Sequence, residues 1–181
     1  MQMGKQHTSC APGKLALMSD SQGRRPNEIG PTGKQVSANL HRLRTTRGLT
    51  VRELARRLTD NHGRSWTPGA VSRVESGQRR VDADDLMALA LALNVAPTAL
   101  LLPPDAEGET QITGAAGPLP SAHVWRWADG QWPLTWSTDP EELRRQLMDF
   151  HLTSRPAGLA PYHSADDAAE KMRLLRKTPF D

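Results

Sequence analysis

The chain is poor in three things on which other protein classes depend. It has one cysteine, Cys10, among 181 residues, so no internal disulfide can form, and with only His7 beside it there is no zinc-ligand cluster. Disulfide scaffolds and zinc fingers are excluded. Aromatics make up 4% and apolar residues 37%, below the ordinary apolar share, which argues against one large core. Long hydrophobic runs are missing too: nothing approaches the roughly 18 apolar residues of a membrane span, and the N-terminus lacks a signal-peptide core. The expected compartment is the cytoplasm, with no membrane partner. No nucleophile, acid–base pair or metal set stands at an interpretable spacing, because the six histidines are scattered and the acidic residues sit mostly at helix starts. Neither enzyme activity nor a cofactor is expected.

Charge divides the chain unevenly. Residues 1–33 carry four basic and two acidic residues, residues 34–102 eleven and six, and residues 103–181 eight and twelve. A compact basic segment beside an acidic one points to a polyanionic partner for the first and a different role for the second.

Residues 1–33 are rich in Gly, Pro, Ser, Gln and Lys without a sustained apolar period and read as a disordered tail. The run Gly30-Pro-Thr-Gly33-Lys34 lacks the glycine spacing and the preceding strand of a phosphate loop. From Gln35 the pattern is helical. Val36, Leu40 and Leu43 recur at helical spacing and Gly48 closes the run. Thr50 with Glu53 forms a capping box for a second helix ending near Leu58. A polar connection, residues 60–66, leads to Thr67 as N-cap with Pro68 at the first helical position; Val71 and Val74 form the inner face of this third helix and Gly77 ends it. Asp82 caps a fourth helix through Leu93, and Pro97 to Leu102 makes a fifth. Residues 34–102 thus read as a compact all-α domain of five helices.

Pro, Gly and acidic residues make residues 103–120 a linker. Residues 121–181 form a small Trp-rich, partly helical region with Trp125, Trp127, Trp132 and Trp136. Alternation around Trp125 and Trp127 followed by Asp129-Gly130 predicts a two-stranded hairpin. Asp139 with Pro140 then caps a helix with Leu143, Leu147 and Phe150 on one face, and a last amphipathic stretch runs from Ser164 through Ala168, Met172 and Leu175.

The segments Thr50-Val-Arg-Glu-Leu-Ala55 and Val71-Ser-Arg-Val-Glu75-Ser-Gly77, the arginine-containing turn and the Leu-rich fourth helix stand in an order that resembles the Cro/repressor-type (Cro/C1-like) helix-turn-helix regulators, also called the xenobiotic-response-element family. The resemblance covers residues 35–102. It implies a bacterial transcriptional regulator that binds double-stranded DNA, with helix 67–76 in the major groove. With Val71 and Val74 buried, Gly69, Ala70, Ser72 and Arg73 fall on or near the outer face; Arg73 suits guanine, Ser72 a polar base edge and Ala70 a thymine methyl. The amides at Thr50 and Thr67 open helices toward phosphate, and Arg79 and Arg80 match the family's phosphate-contacting turn, which positions rather than specifies. The resemblance also makes Arg44 and Glu75 a structural ion pair. Trp66 is expected to cover the core, and Arg52, Arg56 and Arg57 either solvate helix two or face DNA.

Two departures bear on readout. Ala55 and Glu75 are twenty residues apart, so the connection between helices two and three is longer than in compact members; His62, Arg64 and Trp66 on it reach DNA or merely lengthen a loop. Val51 and Pro68 occupy positions where many members carry glutamine, which shifts weight toward shape readout. Single units of this kind bind weakly, so a homodimer is expected. Its contact would come from Leu100 and Leu101, or from the tryptophan ribbon with the Leu143-Leu147-Phe150 face. The tail alternatively holds a small molecule or braces the domain. The competing reading is an antitoxin-like module that binds a protein partner through the C-terminal region and DNA only to regulate itself. RNA is disfavoured because the basic domain lacks stacking aromatics.

Overall fold

The computed structural model describes residues 28–156. Among them are seven helices and one two-stranded sheet, in the order α1 (Pro31–Thr46), α2 (Val51–His62), α3 (Pro68–Glu75), α4 (Ala83–Leu93), α5 (Thr98–Leu101), β1 (Glu109–Thr110), β2 (Leu119–Pro120), α6 (Ser121–Ala128) and α7 (Pro140–Ser154). Residues 1–27 and the amphipathic stretch from Ser164 to Leu175 lie outside the described residues.

Local chemistry sets the helix ends. Proline occupies the first position of α1, α3 and α7, where a missing N–H costs no helical hydrogen bond. The Thr50 hydroxyl accepts from the Glu53 amide at 3.1 Å while Glu53 Oε2 accepts from the Thr50 amide at 2.7 Å, completing the capping box. Thr67, Asp82 and Asp139 cap α3, α4 and α7 with side-chain oxygens. Gly48 adopts a left-handed φ of 65° after α1.

Helix α1 begins at Pro31, inside the stretch expected to be disordered. Tertiary packing explains the earlier start. A Cβ on Gly33 would sit 2.5 Å from Ile29 Cγ2, and one on Gly30 would sit 2.8 Å from Thr113 Oγ1, so these glycines permit close approach. Thr113 donates its amide to Thr32 Oγ1 at 2.8 Å and Thr32 returns its own to Thr113 Oγ1 at 3.4 Å. The segment expected to be a linker therefore docks on α1. It also carries the antiparallel pair of β1 and β2, with Glu109 opposite Pro120 and Thr110 opposite Leu119.

The main core joins α1 to α5. Leu40, Leu54, Leu58, Val71, Val74 and Leu89 are completely or almost completely buried there, together with Leu93 and Leu100. Asn39 is one of the buried polar residues of α1. Its Nδ2 donates to the carbonyls of Leu100 at 3.0 Å and Leu102 at 2.6 Å, closing off the end of α5 from α1.

The hairpin expected around Asp129-Gly130 is instead helix α6. Gly130 has φ of 66° and donates its amide to the Trp127 carbonyl, and Gln131 donates to that of Arg126. The pair is thus a helix stop rather than a strand turn. Both roles ask for a residue tolerant of positive φ, and Pro133 on the far side cannot donate to a ladder. Val124, Trp132 and Leu143 are also buried, outside the main core cluster, with Trp136 set edge-on to Trp132 at 5.8 Å. The Trp125 indole donates to the Pro103 carbonyl at 3.0 Å, tying α6 to the chain leaving α5.

Asn39→Ala leaves two carbonyls without a donor and opens a small void, so it should lower unfolding free energy by about 1–3 kcal/mol. Chemical denaturation of the full chain against wild type measures it, and an unchanged midpoint would refute the assignment.

Candidate nucleic-acid interface

Helix α3 exposes one side and buries the other. Pro68, Gly69, Ser72 and Arg73 are exposed, whereas Val71 and Val74 have no accessible surface. The Arg73 side chain has no hydrogen-bond or ion-pair partner among the described residues, which leaves all five N–H donors of its guanidinium free. Gly69 faces open space apart from its own cap: a Cβ there would come no nearer than 3.9 Å to Thr67 Oγ1. Ala70 corrects the sequence reading. It is 4% exposed and lies in the core, because it stands one helical turn before Val74 and shares its face; it cannot meet a thymine methyl.

Thr50 and Thr67 are placed at helix starts as expected, but only the Thr67 amide is unengaged among the described residues. The Thr50 amide belongs to Glu53, and the Thr67 hydroxyl accepts from the Ala70 amide at 3.1 Å. What the Thr50 terminus offers an anion comes from neighbouring amides and the helix dipole, whereas the Thr67 terminus also keeps its own amide. Arg52, Arg56 and Arg57 are exposed along α2 without a salt bridge among the described residues. Helped by the backbone and hydroxyl hydrogen bonds of Thr50 and by the charges of Arg56 and Arg57, Glu53 is held below its ordinary pKa.

Both ends of α3 are anchored by carboxylates. At the C-terminal end Glu75 receives Arg44 in a bidentate pair, Nε to Oε1 at 2.6 Å and Nη2 to Oε2 at 2.9 Å. Arg44 Nη1 also donates to the Leu49 carbonyl at 2.7 Å, and His41 Nδ1 lies 3.1 Å from Glu75 Oε2. This is the ion pair that the resemblance implied. Burial works against the ionised Glu75, but hydrogen bonds from Arg44 and His41 and their charges hold its pKa low.

The other anchor was not anticipated. Asp85 in the first turn of α4 has a side chain 4% exposed. Its Oδ1 accepts from Arg64 Nη2 at 2.7 Å, Arg64 Nε at 3.1 Å and Trp66 Nε1 at 3.3 Å, and its Oδ2 accepts from Arg79 Nη2 at 2.9 Å. Arg79 also stacks over the Trp66 ring, 4.6 Å from its centroid. Trp66 is 6% exposed and does cover the core. Burial raises the cost of the Asp85 charge, yet the Arg64 and Trp66 hydrogen bonds and the charges of Arg64 and Arg79 bring its pKa below the usual carboxylate range. The lengthened connection is therefore a structured brace that presents Arg64 and Trp66 to α4; the side chain of His62 lies outside the described set.

The two arginines of the turn after α3 have different surroundings. Arg79 is half-buried and bound to Asp85. Arg80 is exposed, and its one protein partner among the described residues is the Glu28 carbonyl, to which Nη2 donates.

With this geometry in place, residues 35–102, just over a third of the chain, match the family model described as a helix-turn-helix domain. The match supports a DNA-binding regulator of the helix-turn-helix class. No curated protein and no solved structure matches the chain. No helix among the described residues is long and apolar enough to cross a membrane.

Both carboxylates have lowered pKa values in the fold. The stability they contribute is thus complete above the unfolded range near pH 4 and drains away as pH falls through their folded-state values. The share of unfolding free energy that these two carboxylates supply should hold level from about pH 7 to pH 5 and drop below about pH 4. It adds to a loss below about pH 6.5 from His123, whose pKa is lowered by burial and by Arg126. Asp85→Ala should lower it at neutral pH by about 3 kcal/mol and reduce the acid drop. Denaturant titrations across pH test this, and a variant as stable as wild type at pH 7 would remove the brace.

Proposed function

We propose that the chain is a sequence-specific transcriptional regulator, bacterial and cytoplasmic, that binds double-stranded DNA as a homodimer and has no catalytic role. The observation that carries the reading is the unengaged Arg73 guanidinium on the exposed side of an α3 anchored at both ends. In the major groove, Arg73 offers a bidentate fork to guanine O6 and N7, Ser72 reaches a neighbouring base edge, and Gly69 allows the backbone to come close. Arg80, with Arg52 and Arg56 from α2, supplies contacts to phosphate, which fix register without reading sequence. The family match over residues 35–102 supports the same partner.

Dimerisation supplies the affinity that one short recognition helix lacks. Leu100 is fully buried in the core and is withdrawn as a dimer contact. The exposed large apolar side chains among the described residues are Met87 and Leu91 on α4, Trp127 on α6, and Met148 and Leu152 on α7. The α7 pair, one turn apart, best suits the role given to the C-terminal region.

Selection of duplexes from a random pool by the full chain at fixed salt should enrich a palindromic motif; recovery of no motif would overturn the proposal. On the selected site, Arg73→Ala should lose about 1–3 kcal/mol of discrimination at one base pair. Arg80→Ala should instead weaken all duplexes alike and reduce the salt slope by about 0.9. Arg79→Ala, in contrast, should lower the melting temperature, because its first partner is Asp85. Equal losses on every duplex for Arg73→Ala and Arg80→Ala would refute the division of labour.

A further inference from the structure

A hollow of about 330 Å³ opens where three separated parts of the chain meet: residues 28–30 ahead of α1, the turn from α3 into α4, and Thr113 between β1 and β2. Its size is at the lower end of small-molecule sites. Ile29, Val36, Val81, Leu86 and Leu101 give it apolar walls. Four charged residues line the polar edge: Arg79 is bound to Asp85, Asp82 caps α4 while facing Arg64 at 3.7 Å, and Glu28 and Arg80 are exposed.

Beside the exposed Glu28 carboxylate, which can turn to solvent, the edge offers donors. Arg80 gives one N–H to the neutral Glu28 carbonyl and has no other partner among the described residues. The Thr32 and Thr113 hydroxyls each accept the other's backbone amide, and neither hydroxyl proton has an acceptor among the described residues. A guanidinium and two hydroxyl donors above apolar walls call for an anionic acceptor on an apolar body. A carboxylate replacing the neutral carbonyl on Arg80 adds the attraction of opposite charges and can take two parallel N–H donors of the guanidinium fork.

We propose that this hollow binds a small carboxylate with a compact apolar body, held by Arg80 at its edge. Arg80 is also the guanidinium assigned to phosphate. Resting on that DNA-binding reading, an occupant that draws Arg80 inward weakens duplex binding, and duplex weakens the occupant to the same degree.

Benzoate serves as the probe and benzamide as its neutral counterpart of the same shape, titrated by NMR into the full chain. Benzoate should bind saturably and benzamide about tenfold more weakly. Arg80→Gln should remove the difference, and Thr113→Trp, at an exposed position on the rim, should block both probes while circular dichroism stays native. No saturable binding, equal binding of the two probes, or unchanged benzoate binding in both variants would overturn the site. At constant ionic strength, saturating benzoate should lower wild-type affinity for the selected duplex several-fold; unchanged affinity would overturn the coupling. A chain that binds benzoate as stated but no duplex at all would overturn the DNA-binding reading and leave the site standing.

Discussion

The orientation of α3 depends on the buried carboxylate of Asp85. Eight residues make too short a helix to hold itself in water, and its apolar contact is small, chiefly Ala70, Val71 and Val74. Burying two valines fixes how deep the helix sits but allows it to roll. Hydrogen-bonded ion pairs are directional where apolar contact is not. Asp85 gathers donors from the connection before α3 and from the turn after it, while the Arg44 fork holds Glu75 at the other end. The base reading proposed for Arg73 would require placement to within a fraction of an ångström, a demand that anchors at both ends of α3 would meet.

The same brace explains how a lengthened connection is tolerated. Helix α2 runs to His62, Gly63 turns the chain with φ of 63°, and the Thr59 hydroxyl accepts from the Trp66 amide. The added residues fold back along α4 instead of hanging free, so the length that threatened to loosen α3 is used to hold it. It also separates the neighbouring arginines after α3. Arg79 stacks on Trp66 and pairs with Asp85, so its charge is committed to the fold, whereas Arg80 keeps most of its donors for a partner.

Much of the fold was legible because helix starts are local. Thr50 with Glu53, Thr67 with Pro68, Asp82, and Asp139 with Pro140 announce their helices within four residues, and each acts as expected. Long-range pairings left no such mark. Asp85 is one of three acidic residues around the start of α4, and its partners stand 21, 19 and 6 residues away; a cap, a dipole partner and a buried acceptor look alike in sequence. Arg44 with Glu75 was reached only through resemblance. Asp129-Gly130 was ambiguous because a hairpin turn and a helix stop need the same backbone freedom. Ala70 was misjudged for its size, although its spacing from Val74 placed it on the inner face.

Helix α1 ties these devices to the tail. Its first turn takes the loop between the strands through Thr32 and Thr113, its middle closes α5 through Asn39, and its last turn anchors α3 through Arg44. At 1.5 Å per residue, Thr32 and Arg44 lie roughly 18 Å apart along one rigid rod. The tail therefore attaches at the end of α1 remote from the anchor of α3, and α6 meets the domain at Pro103 beyond α5. A C-terminal region fixed at those points can bring two copies together without covering Gly69, Ser72 and Arg73. In the proposed dimer the strut that holds α3 in place would also set the distance between α3 and the second copy, so half-site spacing on DNA would follow from the length of α1 and the docking of the strand pair.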